Sequence, residues 1–291
     1  GEGEELTLVY TVQVQDDSGQ TNDKNTANVT IVINGSNDGP VINAEQTVDE
    51  GAVVEVEESL EMQGTILSAM GGISFEDLDS NDTHTITFQS LAEEGDNYVG
   101  VFTVPMSVPD GAVLVDADVT RGFDWSFEVA DSAIDFLAAG ETKDQIYEIT
   151  VSDGKGGSVK QLVTITITGT NDAPTISAAV AQGDELDETS EPLTAAGSFT
   201  VADVDVTDLV NASVSSLFVE GDTGGLTMEQ LEGFFSVTPA AVLNSMQTSS
   251  TLNWSFDSNT TTFDYLGEGE ELTLVYTVQV QDDSGQTNDK N

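Results

Sequence analysis

Residues 1–25, from Gly1 through Asn25, recur without a change at 267–291, an offset of 266 residues. No other feature constrains the fold as strongly, because a repeated segment must play the same structural part twice. A second repeat lies inside that interval. Asn37-Asp38-Gly39-Pro40 returns as Asn171-Asp172-Ala173-Pro174, 134 residues later. From Trp125-Ser126-Phe127 onto Trp254-Ser255-Phe256 the chain then aligns with itself without a gap: Asp135, Leu137, Gly140, Glu141, Tyr147, Val151 and Asp153 meet Asp264, Leu266, Gly269, Glu270, Tyr276, Val280 and Asp282. The expected unit is a domain of about 130 residues, and the chain reads as a window on a longer array. The expected divisions are the C-terminal strands of a preceding repeat (1–37), a complete repeat (38–171), and a repeat lacking its last strand (172–291).

The repeats are built of strands. Leu6, Leu8, Tyr10, Val12 and Val14 place apolar side chains at every second position, the period of a strand with one face in a core. After the turn Asp16-Asp17-Ser18-Gly19 a second run puts Val29, Ile31 and Ile33 on one face. The hairpin returns as Tyr147, Ile149, Val151, a turn at Asp153-Gly154-Lys155-Gly156-Gly157, then Val163, Ile165 and Ile167. Thr164, Thr166 and Thr168 face outward, where β-branched threonine suits a strand. Short strands with turn signals, and no alternating βα pattern, give the expected fold class: all-β, tandem immunoglobulin-like sandwiches with short helical insertions. The helical signals are Thr227-Met228-Glu229-Gln230, a capping box that would pack Leu231, Phe234 and Phe235; Thr238-Pro239, an N-cap followed by proline; and a single turn from Ser132 to Leu137 opened by Asp131.

Composition removes several functions. The chain holds 53 Asp or Glu against 6 Lys or Arg, a formal net charge of −47. A nucleic-acid binder needs a basic stripe, and an anionic membrane surface would repel this chain. No run approaches the ~20 apolar residues of a spanning helix, so no membrane insertion is expected in this window. Cysteine is absent, which excludes thiolate catalysis and Cys-based zinc sites.

The carboxylates gather at matching places. Asp77-x-Asp79-x-x-Asp82 corresponds to Asp203-x-Asp205-x-x-Asp208; the linker pair Asn37-Asp38 corresponds to Asn171-Asp172; the last turn holds Asp153 in one repeat and Asp282 in the next. In a sandwich the B–C and F–G loops share an end with the entering linker. Asn37, Asp38, Asp77, Asp79, Asp82 and Asp153 are therefore expected at one junction, and Asn171, Asp172, Asp203, Asp205, Asp208 and Asp282 at the next. Glu4 and Glu141 would reach these junctions from the E–F loop of the preceding repeat. So many oxygens repel one another unless a cation lies between them. Calcium takes about 6–8 hard oxygen ligands in flexible geometry, whereas magnesium demands a tighter octahedron and ranks second. Zinc or iron would want imidazole or thiolate, and His84 is the only histidine. Isolated Asp and Asn are also common turn formers; recurrence beside a matching linker favours metal. An EF-hand is excluded, since Asp82 and Phe88 stand where its glycine and bidentate glutamate belong. No tandem nonapeptides of a calcium-binding β-roll occur.

The runs Gly197–Asp205, Phe263–Glu271, Tyr276–Gly285 and Gly169-Thr-Asn-Asp-Ala-Pro174 resemble VCBS-type, cadherin-like repeats of large bacterial RTX-type surface adhesins. The resemblance covers essentially the whole window. It implies calcium at domain junctions, an extracellular bacterial cell-surface location, and a role as an extender in cell adhesion or biofilm. This sequence departs from the pattern at Gly35-Ser-Asn-Asp-Gly-Pro40 and in extra residues expected around Glu61 to Gly72, before Asp77.

Catalysis finds little footing. His84 reads as structural, and the tryptophans Trp125 and Trp254 as core residues. Carboxylate pairs arise by chance among so many acids. The reading is a non-enzymatic, calcium-stiffened extender whose partners are neighbouring repeats and, in addition, other copies of the protein. Its rivals are a self-assembling filament that exchanges strands, and a glycan- or peptide-binding module using the loops around 206–250.

Overall fold

The computed structural model describes the chain apart from residues 22–23, 58–63, 80–81, 94–95, 109–119, 178–185, 188–190 and 291. The expected insertion's first residue, Glu61, thus lies outside the described residues. There are two compact units. The first comprises Gly1–Ala52, Ser68–Glu128 and Asp144–Thr166; the second comprises Val53–Leu67, Val129–Lys143 and Ile167–Asn291.

The first unit opens with an antiparallel hairpin, β1 (Glu5–Gln15) and β2 (Lys24–Asn34), in register from Glu5↔Asn34 to Gln15↔Lys24. Then follow β3 (Val41–Ile42), β4 (Glu50–Val54), β5 (Ile66–Glu76), β6 (His84–Ser90) and β7 (Val101–Thr103). After them come β8 (Ser107–Val108), β9 (Thr120–Ala130), β10 (Thr142–Ser152) and β11 (Ser158–Thr168). These strands form two sheets, ordered β4-β11-β10-β6-β8 and β3-β5-β9-β7. From β4 to β10 each strand lies in the sheet opposite its predecessor, so the chain repeatedly crosses a sandwich. Alternation supplies the core: Phe75, Trp125 and Phe127 come from one sheet, and Ile86, Ile149, Val151, Val163 and Ile165 from the other.

In the second unit the strands are β12 (Thr175–Ser177), β13 (Thr194–Ala202), β14 (Val210–Glu220), β15 (Phe235–Thr238) and β16 (Ala241–Leu243), followed by β17 (Ser249–Asp257), β18 (Thr273–Gln281) and β19 (Thr287–Lys290). They form sheets β12-β13-β17-β15 and β16-β14-β18-β19 around Phe199, Val201, Leu252, Trp254, Val278 and Val280. The fold is all-β, of tandem immunoglobulin-like sandwiches.

One aromatic arrangement recurs. Phe102 stacks on Tyr147 at 4.2 Å and on Trp125 at 5.8 Å; Phe235 stacks on Tyr276 at 4.5 Å and on Trp254 at 5.7 Å. Such offset pairs add about 0.5–1.5 kcal/mol each beyond the area they bury. The Trp125 indole donates from Nε1 to the Val48 carbonyl at 2.7 Å and covers Gly71, where a side chain would overlap the ring.

Of the helical signals, the capping box holds. The helix α1 (Met228–Glu232) is capped by Thr227 and Gln230 reciprocally, and buries Leu231 against Phe234 and Phe263. Thr238-Pro239 does not start a helix. It joins β15 to β16 through a cis peptide, because the flanking residues belong to strands: Val237 pairs with Trp254, and Val242 and Leu243 are buried in the core. Asp131 opens a 3-10 turn, Asp131–Ala133, without capping it; its carboxylate instead accepts from the Val56 N–H at 3.1 Å. Residues 66–72, expected as an insertion, are the first part of β5, which matches β13 in position before the Asp-x-Asp turn.

Candidate metal centres

Each acidic cluster is built on the same backbone device. The Asp77 carboxylate accepts the Asp79 N–H at 2.9 Å, and the Asp203 carboxylate accepts the Asp205 N–H at 3.1 Å. These Asx turns end β5 and β13 and aim the acids at the linker. Asp79 then accepts the Asp38 N–H at 2.9 Å, and Asp205 accepts the Asp172 N–H at 2.9 Å. From the last turn, Asp153 accepts from Asn37 Nδ2 at 2.8 Å, and Asp282 accepts from Asn171 Nδ2 at 3.0 Å. Ligand oxygens of Asp77, Asp82 and Asp153 all lie within 4.8 Å of one another, as do those of Asp203, Asp208 and Asp282. All six carboxylates are buried.

The surroundings differ. In the second unit, Asp203 Oδ2, Asp205 Oδ1, Asp208 Oδ2 and Asn171 Oδ1 are buried without a hydrogen-bond donor, whereas in the first only Asp82 Oδ2 and Asn37 Oδ1 of the corresponding residues are. Burial, reinforced by the neighbouring carboxylates, pushes Asp203 up to about 6, Asp205 to about 8 and Asp208 to about 6. Leaving buried anionic oxygens unpaired costs several kcal/mol unless a cation joins them. Glu141 reaches this cluster: its Oε2 accepts from Thr207 Oγ1 at 3.1 Å, and its charge adds to the rise at Asp208.

In the first unit, basic groups surround the acids. Lys155 Nζ donates to Asp82 Oδ1 at 2.5 Å. His84, fully buried, bridges Asp77 Oδ2 at 2.8 Å and Arg121 Nη1 at 3.1 Å. A guanidinium only donates, so His84 Nδ1 accepts and Nε2–H donates to Asp77. Arg121 also donates to the carbonyls of Asp82 at 3.3 Å and Asp79 at 3.5 Å. The Asp38 N–H, with help from Lys155, holds Asp79 below the usual carboxylate range. For Asp153, burial acts upward but is outweighed by donors from Asn37 and the turn backbone, so it too is lowered. Glu4 does not join the triad. It is 58% exposed and is not among the carboxylates whose oxygens lie within 4.8 Å of one another.

Two residues of the second cluster's surroundings escape a reading of the sequence. Glu55, at the end of β4, accepts the Thr170 N–H at 2.7 Å; burial pushes it up to about 7, with Asp172, Asp135 and Asp131 adding to the rise. Asp131 has a buried Oδ2 without a donor. Asp131 does not recur as an acid in the next repeat, where Thr260 stands opposite it, so the repeat comparison carried no signal for it. A cleft of about 770 Å³ opens beside this linker, lined by Glu57, Gly140, Gly169, Thr170, Asn171 and Gln286 among others. The donor set, carboxylate and amide oxygens, fits calcium and offers nothing to a metal that prefers nitrogen or sulfur.

Among solved structures the chain is similar to mouse clustered PcdhgC3 EC1-3, with 12% identity, 99% of this chain and 76% of that one covered, and a TM-score of 0.34. Protocadherin gamma B2 cadherin domains 1-5 give 16% identity over 97% of this chain and 44% of that one, with a TM-score of 0.40. The human Desmocollin-1 ectodomain gives 14% identity over 98% and 43%, with a TM-score of 0.28. No protein-family model matches the chain. No curated protein matches it either. Among the described residues no helix is long and apolar enough to cross a membrane.

Proposed function

We propose that this chain is a calcium-stiffened extender of a large extracellular bacterial adhesin, made of repeats spanning 1–37, 38–171 and 172–291, and that it serves cell adhesion or biofilm formation without enzymatic activity. The observation that carries the reading is the second cluster: Asp203, Asp205 and Asp208 direct buried, unpartnered oxygens at one place, beside Asn171 Oδ1. Bound there, calcium would supply the positive charge that lets these carboxylates ionise together. Asn171, Asp172, Asp203, Asp205, Asp208 and Asp282 would hold it, with Glu141, Glu55 and Asp131 adding oxygens from the segment before the linker. In the other cluster the corresponding holders are Asn37, Asp38, Asp77, Asp79, Asp82 and Asp153. Tying the linker to loops on both sides converts a hinge into a rod. The sequence resemblance to VCBS-type repeats supports the bacterial, extracellular setting, as the acidic surface suits calcium-rich surroundings. Small-angle scattering with and without a chelator tests the rod: its maximum dimension and stiffness should fall when calcium is removed, and unchanged curves would sink the reading.

A filament that exchanges strands is a second reading, favoured by one contrast. Tyr10, Val12 and Val14 in β1 are 53%, 50% and 65% exposed, while the identical Tyr276, Val278 and Val280 in β18 are buried against a second sheet. The β1–β2 face thus fits a sandwich half like that of 194–256, from a preceding repeat or another copy. Size that grows with concentration in sedimentation would favour exchange between copies.

A further inference from the structure

The two acidic clusters share their ligands and not their counter-charges. The chain has only 6 Lys or Arg and 1 His, yet its sole arginine, its sole histidine and Lys155 all converge on Asp77, Asp79 and Asp82. In the next repeat the matching positions hold Val210, Ser250 and Ser284. Ser284 there is a neutral donor, giving its Oγ–H to Asp282 Oδ1 at 2.7 Å.

We infer that Lys155 is a tethered cation that competes with calcium for the Asp77–Asp82–Asp153 cluster, making it a weaker calcium site than its counterpart at Asp203–Asp208–Asp282. The inference rests on the calcium reading above and adds regulation to it. Lys155 sits on the turn that supplies Asp153, and its own N–H is fixed by Asp153 Oδ1 at 2.7 Å, so its ammonium starts beside the site. Its partner Asp82 is buried while Lys155 itself is 36% exposed, which lets the ammonium withdraw into water when a divalent ion arrives. Binding calcium then requires breaking the Lys155–Asp82 pair, next to a buried guanidinium that repels the incoming ion. Asp77 Oδ2 is engaged by His84 as well, so two of the cluster's oxygens are occupied by basic side chains. Among the described residues no ammonium pairs with Asp203, Asp208 or Asp282, and Asp203 Oδ2, Asp205 Oδ1 and Asp208 Oδ2 are all unpartnered, against Asp82 Oδ2 among the carboxylates of the first cluster. A rod built this way keeps one junction ordered when calcium falls and loosens at the other.

The test is a calcium titration of the whole chain by isothermal calorimetry after chelation, with scanning calorimetry of the same samples. The wild type should show a tight and a weak class of site. Lys155→Gln should tighten the weak class by about tenfold, equivalent to ~1.4 kcal/mol, and lower the melting temperature only in the calcium-free protein. Lys160→Gln, which removes an equal charge paired with Glu148 at the surface, should leave both classes unchanged. Ser284→Lys should weaken the tight class. One affinity for both clusters, or a weak class indifferent to Lys155→Gln, overturns the inference while leaving calcium binding intact. No calcium uptake by any of these proteins overturns the calcium reading itself and the inference with it.

Discussion

The clusters around Asp82 and Asp208 are the same frame under different electrostatic management. Asx turns, linker N–H donors and the carboxylate of the last turn match bond for bond. One cluster is surrounded by Lys155, Arg121 and His84; the aligned positions of the next repeat hold Val210, Ser250 and Ser284. Ligand geometry therefore travels with the repeat, because local backbone turns create it. Charge compensation does not, since it depends on side chains arriving from other strands.

Calcium removal should separate the two most. A site saturated at about a hundredfold over its Kd contributes roughly 2.7 kcal/mol to the folded state. For a small domain that is on the order of 10 °C in melting temperature. Scanning calorimetry with and without chelator should show a shift of that order for the transition carrying the Asp203 cluster, and a clearly smaller one for the Asp77 cluster. Equal shifts would break the comparison.

Acidity should sharpen it further. Asp203, Asp205 and Asp208 titrate at about 6, 8 and 6 in the fold, above the ordinary 3.8. Asp172, Asp282, Asp283 and Glu141 are the facing charges. A raised carboxyl stabilises the fold fully below its unfolded value and loses that contribution as pH rises through the folded one. Calcium-free protein should thus melt later near pH 5 than near pH 8 in the second unit, and saturating calcium should erase the difference. Asp79 and Asp153 are lowered instead, so their contribution fades only as pH falls below the ordinary carboxylate range. The first unit's melting should be flat over the same interval.

Neutralising one acid should then give opposite signs. Asp208→Asn stabilises the calcium-free second unit by relieving buried repulsion, and weakens its calcium binding. Asp82→Asn strips Lys155 of its partner and destabilises the calcium-free first unit, by about 1 kcal/mol or less given the exposure of the lysine. Chemical denaturation of the calcium-free variants reads both.

The smallest contrast lies in the aromatic cores. The buried Tyr276 hydroxyl donates to the Leu231 carbonyl of α1 at 2.6 Å. Tyr276→Phe should cost about 0.5–1.5 kcal/mol. Tyr147 stacks on Phe102 in the same way, but among the described residues no helix receives its hydroxyl. Tyr147→Phe should cost less.

Much of the fold was legible because strand period and turn chemistry are local. The alternation Val163, Ile165, Ile167 names the buried face directly, and Thr227 with Gln230 names a helix start. Thr238-Pro239 misled because a proline-containing turn between strands and a helix N-terminus share the same dipeptide. Glu55 and Asp131 were invisible as site residues because a single acid, in a strand end or a turn, carries no spacing signal.

By itself the sequence determined the repeat, the all-β class and the two sets of ligand-type residues, since identical segments and period-2 patterns encode geometry within a few residues. Only the tertiary structure decided which acids are buried unpaired and which are neutralised. Lys155 lies 73 residues from Asp82, and Arg121 lies 37 from His84. Electrostatic energy depends on distance through space and on burial, and neither quantity is written along the chain.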